Sequence, residues 1–442
     1  IIQKEKLVHH IKMSQKPAGL RKPAEPLIHT TTTPQNQGAA AFAGNLPCVR
    51  YLRYQLQLPM YLAGMTTKEK GYRAVSLMLV LICRPQLNCA SINQLRGLLV
   101  QKFIQRVFAL SYGQMRGASV DILYDLFEKL RPELIEASFT RHVASLRKRG
   151  LLPKNLDAYF DSTIIEKSPN SSFEKAAWTK IRGQSYYGFK LFLLIHIATK
   201  TLLYVRFTTV KDADAKELIP AVEAVHRLGF RLMRLGFDRG FWSGDNFKFL
   251  QRKRIKFFTV LKNYQKEHRD LINQVNSRTP GRLRLKSGMW ITEVEPIFLN
   301  TYLITKSIRC IVVRQKGCEA WAIITNDTDL SEIEIVQFYE HRNLIEKLIE
   351  ELKNDFAIQK LPRKLFLQNT CFVLLTLWSF NLLVDYKLSV LQDHTTLAQQ
   401  LKSLRKTLFE FAAVVIYDRC AIYLSFEITH QLQLKIINFN GL

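Results

Sequence analysis

Between Leu156 and Leu261 the chain runs through three strand-like segments, a helix, a strand, a helix and a strand, and no other feature constrains its fold so tightly. The first three segments are Leu156–Asp161, Gly188–Ala198 and Thr201–Thr209, rich in β-branched and aromatic residues, with a short Thr-Lys turn between the last two. Helical spacing follows over Ala213–Leu228, then a strand at Arg231–Phe237, a helix at Ser243–Arg252 and a strand at Lys256–Leu261. The order predicts an α/β fold: a mixed sheet with flanking helices, since each amphipathic helix needs a sheet face to bury its apolar stripe.

Outside this stretch the texture differs. Residues 1–44 are rich in Lys, Pro, Thr and Gln and are expected to form a disordered basic tail, with Met13 a candidate start in a chain that opens at Ile1. Residues 45–150 show helical patterns at Lys68–Cys83, Ser91–Phe108, Ser119–Leu130 and Ser138–Arg149, with Ser138 a candidate N-cap. Residues 262–326 alternate in short β-like runs and are expected to form a β-rich insertion. It would divide a catalytic core made of 151–261 and 327–442, in which one long helix spans Ser331–Phe356 and further helices reach the end. The apolar run Cys371–Val384 is too short for a bilayer, which takes about 20 apolar residues, and is expected to pack in the core under that helix. No membrane role and no charged-then-apolar leader is expected.

Charge narrows the partner. Sixty-four Lys and Arg against 37 Asp and Glu give a net +27, which points to a polyanion, because neutralising phosphates releases condensed counterions. Ribosomal proteins, nucleases and membrane-surface proteins share that balance. Twelve Lys or Arg lie between Lys248 and Lys286 against only Glu267 and Asp270, as expected either of a groove tracking a nucleic-acid backbone or of a solvated loop. Lys262 is the candidate DNA contact within it. The seven cysteines form no CxxC pair, sit mostly among apolar residues and are expected to be reduced core residues of a cytoplasmic protein rather than zinc ligands.

Three carboxylates carry the chemistry. Asp161 closes the run AYFDST and Asp238 closes RLGFDRGF, each at the expected end of a strand, where ligand-binding residues of α/β sheets gather. On one continuous helix Tyr339, Arg342, Glu346 and Lys353 fall within roughly 60° of each other, beside an apolar face that includes Phe338, Ile345 and Leu352. Taken alone the stripe is equally a solvated face with an Arg342–Glu346 pair, and each Asp a capping acid. Together, Asp161, Asp238 and Glu346 offer the oxygen ligands that hard cations take, as a pair of Mg²⁺ ions in phosphoryl transfer requires. Asp157 rivals Asp161 for the first position.

YFDST, FDRGF and Tyr339-x2-Arg342-x3-Glu346-x6-Lys353 together resemble the DDE transposases of bacterial insertion sequences that bear the Tyr-Arg-Glu-Lys signature. The segment at 185–208 is similar to their second and third strands, and the resemblance covers about residues 155–385. It implies a ribonuclease-H-like core and cut-and-paste transposition, with Asp161, Asp238 and Glu346 both catalytic and metal-holding. Two Mg²⁺ ions are implied, with Mn²⁺ as an alternative. Arg342 and Lys353 would contact phosphates and Tyr339 would donate a hydrogen bond to one, with Arg239 a further contact or a plain surface arginine. The implied partner is double-stranded DNA, both terminal inverted repeats and target, bound by a homodimer in a synaptic complex, with 45–150 as the helical DNA-binding region. The implied place is the bacterial cytoplasm, at the nucleoid. In hairpin-forming relatives a tryptophan of the insertion stacks a flipped base, and Trp290 and Trp321 are both candidates for that role or for core packing. The alternatives are a catalytically silent DNA-binding remnant and a nuclease on the same core.

Overall fold

The computed structural model describes residues 37–65, 72–110, 118–181, 183–261, 266–275, 283–284, 288–294, 308–315, 317–392, 399–410, 413–417 and 422–425. The chain divides into two compact units, Thr140–Glu350 on one hand and Ile1–Phe139 with Glu351–Leu442 on the other. Lys262 and Cys420 lie outside the described residues, as do residues 1–36 of the expected tail.

The unit Thr140–Glu350 is built on a sheet that has ten strands among the described residues. Its first strands are β1 (Asn155–Glu166), β2 (Ala177–Ile181), β3 (Gln184–His196) and β4 (Thr201–Thr209). Helix α1 (Asp214–Arg227), β5 (Arg231–Phe237), α2 (Gly244–Arg252) and β6 (Lys256–Val260) follow. β3 pairs antiparallel with β1 and with β4, whereas β5 lies parallel to both β1 and β6. This is the mixed sheet with flanking helices that the order of elements predicts. β3 reads as a nearly continuous apolar run, Phe189 to Ile195, because it is buried on both faces.

The short strands of the expected insertion continue the same sheet. They are β7 (Leu283–Arg284), β8 (Trp290–Val294), β9 (Arg309–Arg314) and β10 (Trp321–Thr325). β10 pairs antiparallel with β6, so the extension grows from the core edge rather than standing apart. Its inward side chains Ile291, Ile311, Val313 and Ile323 share one apolar cluster with Phe258 and with Ile335, Val336 and Tyr339 of helix α3 (Glu332–Glu340). Burying a side chain of that size is worth about 1.5–3 kcal/mol, so these strands hold α3 in place. Ser331 caps α3 in a full capping box with Glu334.

Several expectations are corrected. Asp161 does not end its strand, which runs on to Glu166 because β3 keeps pairing with it after β5 has stopped. The expected helix Ser331–Phe356 is two helices, α3 and α4 (Asn343–Asn354). Between them the bonding tightens: His341 N–H still reaches Gln337 O, but Arg342, Leu344 and Ile345 donate to carbonyls only three residues back. Ser138 lies inside the helix Pro132–Lys148, where its hydroxyl donates to Tyr61 O at 2.7 Å, instead of capping it. The segment expected as one helix over Ser91–Phe108 is broken into Asn93–Leu95, Arg96–Leu99 and Lys102–Val107. The C-terminal part holds strands, Ala413–Tyr417 and Ile422–Ser425, the first paired with Gln37–Ala40 of the expected tail.

In the other unit the helix Phe366–Tyr386 continues to Leu391, giving 26 residues long and apolar enough to cross a membrane, so the expected limit on its length fails. Its most apolar stretch is 89% buried inside the structure, and Thr376, which interrupts it, donates from its hydroxyl to Phe372 O at 2.8 Å. Tyr51 donates from its phenol to buried Asp385 at 2.7 Å. Cys48, Cys83, Cys89, Cys310 and Cys371 are buried thiols, as expected, but Cys318 is exposed.

Candidate active site

The parallel pairing of β1 with β5 runs from Asn155 opposite Arg231 to Phe160 opposite Phe237, with one bulge at Leu156–Asp157. Asp161, still on β1, and Asp238, the first residue past β5, follow that last pair side by side, where neighbouring strands stand about 4.8 Å apart. Asp238 remains extended (φ −76°, ψ 160°) and then opens a tight turn, Arg239–Phe241. Phe241 is buried and anchors that turn, its ring 4.4 Å from that of Phe160.

Side chains absent from the sequence reading hold the turn. Buried Asn246 donates from its amide to Phe241 O at 2.7 Å and to Ala215 O at 2.8 Å. Its own N–H is taken by the Ser243 hydroxyl, the N-cap of α2. Lys190 pairs with Asp214 at 2.8 Å, and Asp214 lies so close to Gly240 that a Cβ there would sit 2.6 Å from its Oδ2. The segment SGDN was the one local signal for this, as a capping sequence.

Glu346 comes from the first turn of α4, and Arg342 from the tight turn before it. The Arg342 guanidinium donates from Nη1 to Asp161 Oδ2 at 2.9 Å and from Nη2 to Glu346 Oε1 at 3.1 Å. Asp161 Oδ1 accepts from Ser162 N–H at 2.8 Å. Burial pushes the Asp161 carboxyl up to about 6; Arg342 and the Ser162 N–H oppose that rise, and the charges of Asp238 and Glu346 add to it. The three acids therefore act on one another electrostatically.

Tyr339 is almost fully buried, its ring 5.8 Å from that of Trp321 and 5.9 Å from the Arg342 guanidinium carbon. Burial raises its phenol further above the ordinary range, so it stays a hydrogen-bond donor. A cleft of about 430 Å³ is lined by Asp238, Arg239, Trp321, Tyr339 and Arg342. Trp290 is elsewhere engaged, with the Arg284 guanidinium 5.5 Å from its ring centre. Lys353 lies two turns beyond Glu346 on α4. Asp157 stands apart from the acid cluster, paired with Arg234 at 3.5 Å, and Arg234 also binds buried Asp327 at 3.0 Å.

A profile of the transposase DDE domain matches residues 157–382, just over half of the chain. The chain belongs to the DDE transposases. It is a DNA transposase, and it spans in one matched segment both strand-borne aspartates and Glu346. Among solved structures, a piggyBac transposase synaptic complex with hairpin DNA is similar at 12% identity and a TM-score of 0.45, covering 85% of this chain and 82% of that one. No curated protein matches.

DDE transposases use divalent metal ions. As the side chains stand, with Arg342 between Asp161 and Glu346, no three His, Cys, Asp or Glu among the described residues are gathered closely enough to hold one. The donor chemistry nevertheless fits: all three groups are hard oxygen donors, and their mutual repulsion at buried Asp161 is what a cation relieves.

Proposed function

We propose that the chain is a cut-and-paste transposase of the bacterial insertion-sequence group with the Tyr-Arg-Glu-Lys signature, using Asp161, Asp238 and Glu346 as its catalytic carboxylates. The observation that carries this reading is the register of β1 and β5, which brings two acids out side by side next to the turn bearing Arg342. The three acids would hold two Mg²⁺ ions, or Mn²⁺; such ions, when bound, supply Lewis-acid stabilisation of the charge that develops on the reacting phosphate.

The chain's own residues bind and orient the DNA. Arg342 and Lys353 neutralise phosphates beside the cut, Tyr339 donates a hydrogen bond to one, and Arg239 and Lys262 add contacts along the backbone. Trp321 rather than Trp290 offers the stacking face for an extruded base, since it lines one cleft with Asp238 and Tyr339. Water would attack the phosphodiester at the element's end and displace its 3′-oxygen as a free 3′-hydroxyl. That hydroxyl would then attack a phosphodiester either across the duplex or in target DNA, the 3′-oxygen of the attacked bond leaving as a new 3′-hydroxyl. The protein works as a homodimer that holds two terminal inverted repeats in a synaptic complex, with residues 45–150 as the DNA-binding region, in the bacterial cytoplasm at the nucleoid.

Labelled element ends incubated with Mg²⁺ and either parent or Asp238→Asn protein test this. The parent should cut and join, and the variant should be slower by about 1,000-fold, as loss of several kcal/mol of charge stabilisation implies. Equal rates would remove Asp238 from the site. Binding without cutting by the parent would make the chain a silent remnant, and cutting without joining a nuclease.

A further inference from the structure

We propose that Arg342 is a counter-cation latch on the carboxylate cluster: its guanidinium occupies the place where Asp161 and Glu346 take a divalent ion, until a DNA phosphate draws it away. This rests on the reading of Asp161, Asp238 and Glu346 as the metal-holding acids.

Three features carry the inference. First, the two terminal nitrogens of Arg342 go to two different carboxylates, Asp161 at 2.9 Å and Glu346 at 3.1 Å, so one side chain spans both. With Ser162 N–H on Oδ1, each oxygen of Asp161 already carries a donor, and a second cation on the same oxygens would meet the guanidinium charge at close range. Second, the resting position is incomplete, because Arg342 Nε is buried without a hydrogen-bond partner. A guanidinium fork is satisfied better by a phosphate, which accepts two parallel bonds. Third, Arg342 lies in the tight turn between α3 and α4, and it lines the open cleft of about 430 Å³ that also touches Asp238, Arg239 and Tyr339. The side chain can rotate into that space with no change in the sheet.

The latch ties two binding events together. Metal loading and DNA binding each favour the arrangement with Arg342 released, so each must strengthen the other by the same factor. A free protein would then load metal poorly and be kept from cutting unbound DNA. A latch of this kind differs from a simple phosphate contact, which would leave metal affinity untouched when DNA is absent.

Mn²⁺ binding to the full chain, followed by the electron paramagnetic resonance of the free ion, is the test. It is run at about pH 8.5 so that protons do not compete for the carboxylates. Without DNA, Arg342→Gln should bind Mn²⁺ roughly ten-fold more tightly than the parent, as expected for removing a charge-assisted bond pair. Arg342→Lys, a point charge unable to span both acids, should fall between them, and circular dichroism checks that each variant is folded. Adding a short duplex should tighten Mn²⁺ binding by the parent but not by Arg342→Gln. If parent and Arg342→Gln bind Mn²⁺ equally and respond equally to duplex, while Asp161→Asn has lost binding, the latch is wrong and the acid site stands. If Asp161→Asn binds Mn²⁺ as the parent does, the acid site itself is wrong and the latch goes with it.

Discussion

The phenol of Tyr159 donates to the main-chain carbonyl of Phe338 at 2.6 Å, and the two rings stack with centroids 4.9 Å apart. Tyr159 sits on β1 two residues before Asp161, and Phe338 sits on α3 four residues before Arg342. The contact thus ties the strand that carries the first acid to the helix that delivers the arginine. Phe338 also packs on Phe258 of β6 at 4.3 Å, which fixes α3 over the sheet.

Tyr159→Phe keeps the stacked ring and removes only the hydrogen bond. It should lower stability by about 1–2 kcal/mol, because the Phe338 carbonyl loses its donor. Thermal melting measures the loss, and an unchanged melting temperature would show that the bond contributes nothing.

Gly236 lies opposite Tyr159 in the parallel ladder, and a Cβ there would stand 2.5 Å from Tyr159 Cδ1. Gly236→Ala should force the tyrosine ring away from Phe338 and destabilise by about 1–3 kcal/mol, the usual cost of overpacking. The double variant with Tyr159→Leu should recover part of the melting temperature; no recovery would place the strain elsewhere.

Asn246→Ala should cost about 2–4 kcal/mol, since two carbonyls at Ala215 and Phe241 lose their donor in a buried setting. The turn after Asp238 then loosens, so cleavage should slow by more than the melt alone explains at temperatures where the variant remains folded. Cleavage at the parental rate in the folded variant would show that Asn246 supports only stability.

Asp161 makes stability depend on pH. Its carboxyl is held at about 6 in the fold against 3.8 unperturbed, so the folded chain binds this proton more tightly than the unfolded chain. The favourable contribution is therefore complete below pH about 3.8, is lost as pH rises to about 6, and is absent above. Asp161→Asn should thus gain on the parent between pH about 4 and 7.5 by at most about 3 kcal/mol, less whatever the lost Arg342 contact costs. Melting temperatures of both proteins at the two pH values measure this, and a gap that does not change with pH would refute it.

Some of this was legible along the chain. The strands around Asp161 and Asp238 announce themselves by local composition, and Arg231–Phe237 and Thr201–Thr209 have the bounds expected of them. Ser331 and Ser243 mark helix starts through hydroxyls that act within three residues. Such signals are local and need no tertiary information.

What the sequence alone determined is therefore the order of elements, the local runs that carry each acid, and the basic charge that suits DNA. Only the tertiary structure decided that Asp161 lies mid-strand, that α3 and α4 are separate helices, and that Arg342 spans two acids. The physical reason is distance along the chain: Arg342 meets Asp161 across 181 residues, through a sheet register and a shared apolar cluster that no local pattern encodes. Helical spacing placed Arg342 beside Glu346, but it could not supply the buried carboxylate that holds its other nitrogen.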